Sequence, residues 1–72
     1  MLECPRCDGQ GSVMKAEIVK KNTTIFICDE CEAIWFSLAA IGTEPWVDYG
    51  TYMEEQRLSP TWDELTIQGE AA

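Results

Sequence analysis

The chain contains no histidine, only five basic residues and no apolar run long enough to cross a membrane. Without histidine it lacks the commonest general base of enzymes and a common zinc ligand. Five basic against thirteen acidic residues give a formal net charge of −8, which argues against gripping the phosphates of nucleic acid. A membrane helix needs roughly 18 consecutive apolar residues, whereas the longest such run after residue 36 is Leu38-Ala39-Ala40-Ile41. We therefore expect a cytoplasmic protein that binds neither membranes nor nucleic acid directly.

The titratable and nucleophilic residues that are present do not form a catalytic arrangement. Ser37 and Ser59 have no candidate base beside them. The adjacent acids at 54–55 and 63–64 point in different directions if they lie on helices, so paired acid and base chemistry is not indicated. We expect no enzymatic activity.

Four cysteines form two pairs of identical spacing, with twenty residues between the pairs. The pairs are Cys4-Pro5-Arg6-Cys7 and Cys28-Asp29-Glu30-Cys31. Pairs of this kind lie on tight turns, and a spacer of this length can fold back as a hairpin and bring four thiolates onto one ion. We therefore predict that Cys4, Cys7, Cys28 and Cys31 bind one Zn²⁺. Four thiolates leave no open coordination position, so the predicted zinc is structural.

The alternatives for the cysteines are a disulfide framework, a redox-active pair and an iron site. Disulfides suit exported proteins, but Met1-Leu2-Glu3 leads straight into the first pair, so we expect no signal segment and a reducing compartment. Redox pairs of the thioredoxin type open a helix in a βαβ unit, for which the chain is too short. Zinc is favoured, and a bound ion supplies the additional stabilisation that a chain below about 80 residues usually needs.

The residues around the cysteines predict a small antiparallel sheet. β-Branched residues with partial alternation favour a strand over 13–20, followed by a turn with Asn22 in a left-handed conformation and a return strand over 24–27. A third strand follows at 33–36. The glycines Gly9 and Gly11 suit positive-φ positions beneath the first cysteine pair.

The second half of the chain predicts short helices. Asp48 is a candidate N-cap for a helix over 49–58, and Ser59-Pro60 predicts a further helical turn carrying Trp62. Residues 65–68 predict a short strand at the sheet edge. The predicted fold is small α+β, a three-stranded zinc ribbon with a helical segment packed on it. The single domain divides into the ribbon at 1–36, an acidic helical extension at 37–68 and a frayed tail at 69–72.

Acidic and aromatic residues concentrate in the second half. Residues 1–36 carry four basic and six acidic side chains (net −2), whereas residues 37–72 carry one and seven (net −6). Trp35 is predicted to cover the sheet. The other aromatics and acids fit either core packing with a solubilising surface or an interface with a basic partner. The candidate contact residues for such a partner are Trp46, Asp48, Tyr49, Tyr52, Glu54, Glu55 and Trp62.

Residues 2–36 resemble the zinc-ribbon family, which implies the fold but not the function. The resemblance is carried by Cys4-Pro5-Arg6-Cys7, Gly9, Cys28-Asp29-Glu30-Cys31 and Trp35-Phe36. The wider pattern is similar to small bacterial zinc-ribbon immunity proteins of contact-dependent growth inhibition and other polymorphic toxin systems. It runs through Cys-Asp-Glu-Cys-Glu-Ala-Ile-Trp-Phe, Tyr-Met-Glu-Glu and Leu-Ser-Pro-Thr-Trp-Asp-Glu-Leu.

The second resemblance implies a protein that binds and neutralises a toxin domain. A nuclease toxin is basic because it holds nucleic acid, so an acidic aromatic surface would complement it. The alternative is an adaptor or regulator that docks on transcription or translation machinery through the ribbon. Either protein would be a monomer or a weak dimer formed at a free ribbon edge.

Overall fold

The computed structural model describes residues 2–71, which form one antiparallel sheet of five strands in the order β4-β3-β2-β1-β5. The strands are β1 Val13–Ile18, β2 Thr23–Cys28, β3 Ala33–Trp35, β4 Val47–Asp48 and β5 Leu65–Glu70. The α-helix α1 spans Tyr49–Glu55, and short 3-10 helices cover Val19–Lys21, Leu38–Ala40 and Trp62–Glu64. The sheet therefore has two strands more than the three-stranded ribbon predicted from the sequence.

The central hairpin confirms the prediction for the spacer between the cysteine pairs. β1 and β2 pair from Val13 opposite Cys28 to Ile18 opposite Thr23. The first strand ends at Ile18, earlier than predicted, because the next three residues turn as a 3-10 helix. Asn22 closes this turn with φ of 49°, in the left-handed conformation that asparagine tolerates.

The two outer strands account for the difference in strand number. β5 confirms the predicted strand after the helical segment and pairs with β1. The expected fraying from residue 69 is wrong for residues 69–71, because β5 continues to Glu70 and the Ala71 N–H donates to the Val13 carbonyl at 3.0 Å. Ala72 lies outside the described residues. The two-residue strand β4 pairs with β3 and was not predicted.

α1 begins where predicted and ends early. The Asp48 carboxylate accepts a hydrogen bond from the Thr51 N–H at 2.9 Å, which confirms the N-cap. The helix ends at Glu55 and not at Leu58, because Arg57 takes a left-handed φ of 61°. In the next helical turn, Thr61 and not Ser59 occupies the cap position.

The sheet carries an apolar cluster on each face. The cysteine-side cluster contains Cys4, Val13, Phe26, Cys28, Ala33, Trp35 and Ala40. The helix-side cluster contains Ala16, Ile18, Ile25, Ile27, Ile34, Tyr49 and Met53. Trp35 is only 3% exposed, which confirms its predicted role as a cover for the sheet. The apolar cluster on one face therefore packs around the cysteines, and the cluster on the other face packs against α1.

Tyr49 is the residue through which α1 enters the helix-side cluster. Its side chain is fully buried and its hydroxyl donates to the Thr61 carbonyl at 2.7 Å. Burial, together with the carboxylates of Glu64 and Glu32, raises the pKa of Tyr49 to about 12. The neutral phenol therefore joins α1 to the segment that leads into β5.

We predict that the stabilising effect of the Tyr49 hydroxyl is lost in alkali. The folded pKa lies above the unfolded value of about 10, so the contribution is complete below pH ~10 and disappears as the pH rises through about 12. Urea unfolding of the native chain and of Tyr49→Phe at a series of pH values checks this. Subtracting the two free energies of unfolding cancels the effects of the other titrating groups. A difference of about 1 kcal/mol is expected at neutral pH, falling in alkali. A difference that is constant or grows with pH would contradict it.

Among residues 2–71, no helix is both long enough and apolar enough to cross a membrane.

Candidate metal centre and interaction surface

The four cysteine sulfurs converge at one end of the sheet. All four Sγ atoms lie within 4.8 Å of one another, and the Cys4–Cys31 and Cys7–Cys28 pairs are each 3.7 Å apart. A tetrahedron with metal–sulfur bonds of about 2.3 Å has sulfur–sulfur edges of about 3.8 Å. A disulfide would need about 2.05 Å, so these are four separate thiols. The cluster could hold a metal ion, consistent with a zinc-ribbon-like motif.

Both cysteine turns are followed by a residue in the left-handed conformation. Asp8 and Glu32 each follow the second cysteine of a pair, and both take a left-handed conformation with φ of 54° and 60°. In the second turn, the N–H groups of Glu30 and Cys31 both point at the Cys28 Sγ from 3.4 Å. Backbone donors in this position stabilise a thiolate and orient it toward a metal.

The two glycines of the first turn serve different purposes. Gly9 has φ of 81°, which confirms the predicted positive value. Gly11 does not have positive φ. It is needed because the second turn packs directly on it: a β-carbon there would lie 2.6 Å from Cys28 Sγ and 2.8 Å from Glu30 Cβ. The Ser12 N–H donates to the Asp29 carboxylate at 3.0 Å and helps hold the turns together.

The surroundings of the thiols determine their protonation when no ion is bound. Burial raises the pKa of the Cys4 thiol to about 12, and it raises that of Cys28 as well. Burial acts in the same direction on Cys31, but hydrogen bonds from the Ala33 N–H and from the Cys28, Cys4 and Arg6 side chains lower its pKa. Thiol protons must leave for a metal to bind, so metal uptake releases protons and acid favours metal loss.

Glu32 connects the second cysteine turn to the second half of the chain. Its carbonyl accepts the Tyr49 N–H at 3.0 Å, at the first turn of α1. Its carboxylate accepts the Trp62 indole N–H at 2.8 Å. The residue after the last cysteine therefore anchors both α1 and the 3-10 helix that precedes β5.

The predicted contact residues do not form one continuous exposed surface. Tyr49 is fully buried and cannot supply its side chain to a partner, which corrects the prediction. Trp62 is half-buried and engaged with Glu32, and Asp48 is occupied in capping α1. Trp46 is 42% exposed, with the Arg6 guanidinium 4.2 Å from its ring centroid. Tyr52 is partly exposed, and Glu54 and Glu55 are fully on the surface.

An aromatic pair joins the end of β3 to α1, the helix that carries Glu54 and Glu55. Phe36 is 46% exposed, and its ring centroid is 5.3 Å from that of Tyr52 at a tilt of 57°. Leu38, two residues further on, is 52% exposed. Phe36 was predicted to end the third strand, but β3 ends at Trp35, and this aromatic pair was not predicted. The sequence did contain a signal for it. Successive residues of the apolar run 33–36 point to opposite faces of the sheet, which places Phe36 on the face that packs against α1.

The acids of α1 have no basic partner in the part of the chain that the structure describes. Lys20 pairs with Glu64 at 3.3 Å, whereas no lysine or arginine within 2–71 lies in ion-pair range of Glu54 or Glu55. We call Phe36, Leu38, Tyr52, Glu54 and Glu55 the aromatic–acidic surface. It combines exposed and partly exposed apolar side chains with negative charge that no basic residue within 2–71 pairs with.

Comparison of the chain with known protein families, with curated proteins and with solved structures gives no match. Geometry of the cysteine cluster is therefore the basis for its likeness to a zinc ribbon. No pocket is found in the portion of the chain covering residues 2–71.

Proposed function

We propose that this protein is a zinc-stabilised module that binds a basic protein partner through the aromatic–acidic surface. The observation that carries the proposal is the ring pair of Phe36 with Tyr52 of α1, the helix that also carries the exposed acids Glu54 and Glu55. Aromatic side chains supply much of the binding energy at protein interfaces, and depletion of basic neighbours leaves the acids available for a cationic surface. The formal net charge of −8 adds a long-range attraction that raises the association rate.

The metal in this proposal is one structural Zn²⁺. Four cysteine sulfurs within 4.8 Å of one another, with two of the pairs 3.7 Å apart, favour a tetrahedral soft-ligand site, for which zinc is the usual ion. The ion would be held by Cys4, Cys7, Cys28 and Cys31. It would join the two cysteine turns at one end of the sheet. Its chemical contribution is structural, because the four sulfurs leave no position for water or substrate.

The partner is proposed to be a nuclease-type toxin domain, and the protein its immunity factor. A nuclease must present basic residues to the phosphates of its substrate. An acidic protein of this size can cover such a cleft, with electrostatics setting the association rate and buried aromatics the dissociation rate. The sequence resemblance to bacterial immunity proteins supports this choice of partner.

A matched pair of charge reversals tests the proposal. Glu54→Lys with Glu55→Lys changes the net charge from −8 to −4, and so does the control pair Glu44→Lys with Asp63→Lys, all at exposed residues. The proposal predicts that a basic toxin domain is encoded beside this gene. With that domain as partner, we expect the first pair to lower affinity at least about tenfold more than the control. Stopped-flow association at low and high salt and a nuclease inhibition assay provide the measurements.

The same assays contain the outcomes that contradict the proposal. No one-to-one complex with the neighbouring basic domain, or a complex that leaves its nuclease activity intact, removes the inhibitor function. Equal effects of the two charge-reversal pairs would show that only net charge matters, and that the aromatic–acidic surface is not the contact. Phe36→Ala separates the aromatic contribution from the electrostatic one. It should raise the dissociation rate and leave the salt dependence of association unchanged.

A further inference from the structure

Arg6 occupies a distinctive position in the metal centre. It lies between the two ligands of the first turn, Cys4 and Cys7, and its guanidinium carbon is 4.2 Å from the ring centroid of Trp46. Its side chain also helps to lower the pKa of the Cys31 thiol, a ligand from the opposite turn. The guanidinium is therefore stacked on an aromatic ring within the turn that carries two of the ligands.

Trp46 is held over Arg6 by the segment that precedes β4. This cover segment, residues 37–46, packs on the cysteine side of the sheet through buried Ala40 and half-buried Ile41. The Glu44 carbonyl accepts the Trp35 indole N–H at 3.2 Å. Gly42 faces the first turn, since a β-carbon there would lie 3.7 Å from Pro5 Cγ. Trp46 therefore lies at the junction of this packed segment and β4, which pairs with β3.

The electrostatics of the site explain why a cation belongs there. Four thiolates and one divalent ion carry a net charge of about −2. The cysteine turns also carry the exposed acids Glu3, Asp8, Asp29 and Glu30, whereas Arg6 is the one basic residue in segments 3–12 and 28–32. An arginine stacked on tryptophan keeps its charge and loses little rotamer freedom when it donates to sulfur.

We propose that Arg6, held in place by Trp46, is a positioning residue that stabilises the thiolate cluster and slows metal loss. The positive charge of the guanidinium, fixed within the cysteine turn, offsets the negative charge of the sulfurs, so dissociation of a thiolate from the ion becomes less favourable. Trp46 acts through Arg6 and does not contact the ligands for this purpose. Packing of the cover segment thereby contributes to retention of the metal.

Zinc transfer from the full chain to an excess of a coloured chelator tests this proposal. We expect Arg6→Gln to accelerate transfer about 10- to 100-fold, the range found for partners of metal ligands. Arg6→Lys keeps the charge but loses the planar donor, so its rate should fall between the native and glutamine proteins. Arg57→Gln makes the same change of charge after α1, away from the cysteines, and should leave the rate unchanged.

Two further readouts separate positioning from general destabilisation. Trp46→Leu should accelerate transfer, but the double variant with Arg6→Gln should be no faster than Arg6→Gln alone, because Trp46 acts through Arg6. In the Co²⁺-loaded protein, Arg6→Gln should shift the sulfur-to-metal charge-transfer band to longer wavelength, since a nearby cation lowers the sulfur orbitals. Additive effects of the two substitutions, an unshifted band, or equal rates for Arg6→Gln and Arg57→Gln would overturn the proposal.

Discussion

Cys28→Ser should release the metal and unfold the protein at neutral pH. Cys28 is fully buried, ends β2 and receives two backbone N–H groups at its sulfur. Structural zinc supplies an apparent 10–16 kcal/mol, roughly as much as the whole stability of about 5–15 kcal/mol of a typical domain. A chain of this size has little else to replace that contribution. Circular dichroism and the number of zinc ions per chain report the two effects together.

Ala16→Ser provides the matched control, because it puts a hydroxyl at a fully buried site on the opposite face of the sheet. It should cost about 1–3 kcal/mol and leave one zinc per chain. Treating the native protein with a strong chelator should reproduce the Cys28→Ser result, and restoring Zn²⁺ should reverse it. A Cys28→Ser protein that stays folded without metal would show that the ion is not structural.

Gly11→Ala is expected to loosen the metal centre, whereas Gly50→Ala should stabilise the protein. At Gly11 the new methyl group would meet Cys28 Sγ at 2.6 Å, so the two cysteine turns must separate. Overpacking of this kind costs about 1–3 kcal/mol, which corresponds to roughly five- to a hundredfold in metal affinity. At Gly50, inside α1, the nearest atom is Asp48 Oδ2 at 3.5 Å, an ordinary contact. Alanine there should add up to about 1 kcal/mol.

Competition with a chelator of known zinc affinity, together with thermal unfolding of both metal-loaded variants, checks the pair. The opposite signs make the comparison informative, since both substitutions add the same methyl group. If both variants were destabilised equally, close approach of the two turns at Gly11 would not be the reason for glycine at that position.

Local patterns in the sequence were enough to predict the convergence of the four cysteines and the central hairpin. The paired cysteines, Asn22 in its turn and Asp48 at its cap each act within a few residues, so their geometry is encoded nearby. β4 was not predictable, because two residues show no periodicity and this strand exists only through pairing with β3. β5 was predicted too short for a similar reason, since pairing with β1 extends it to Glu70.

Which aromatic residues of α1 are exposed could not be predicted from the sequence. Tyr49 and Tyr52 are both helical aromatics, and only the docking of α1 on the sheet decides that the first is buried and the second reaches Phe36. The stacking of Arg6 on Trp46 joins residues that are far apart in the chain. Interactions of this kind follow from tertiary packing and have no local signature.

The pairing of β5 with β1 has a consequence for the order in which a growing chain acquires its structure. All four cysteines have been synthesised once the chain reaches Cys31, and β1 can pair with β2 at that stage. The other edge of β1 stays unpaired until residues 65–70 are made. The nascent chain therefore passes through a stage with an open strand edge, and open strand edges promote aggregation.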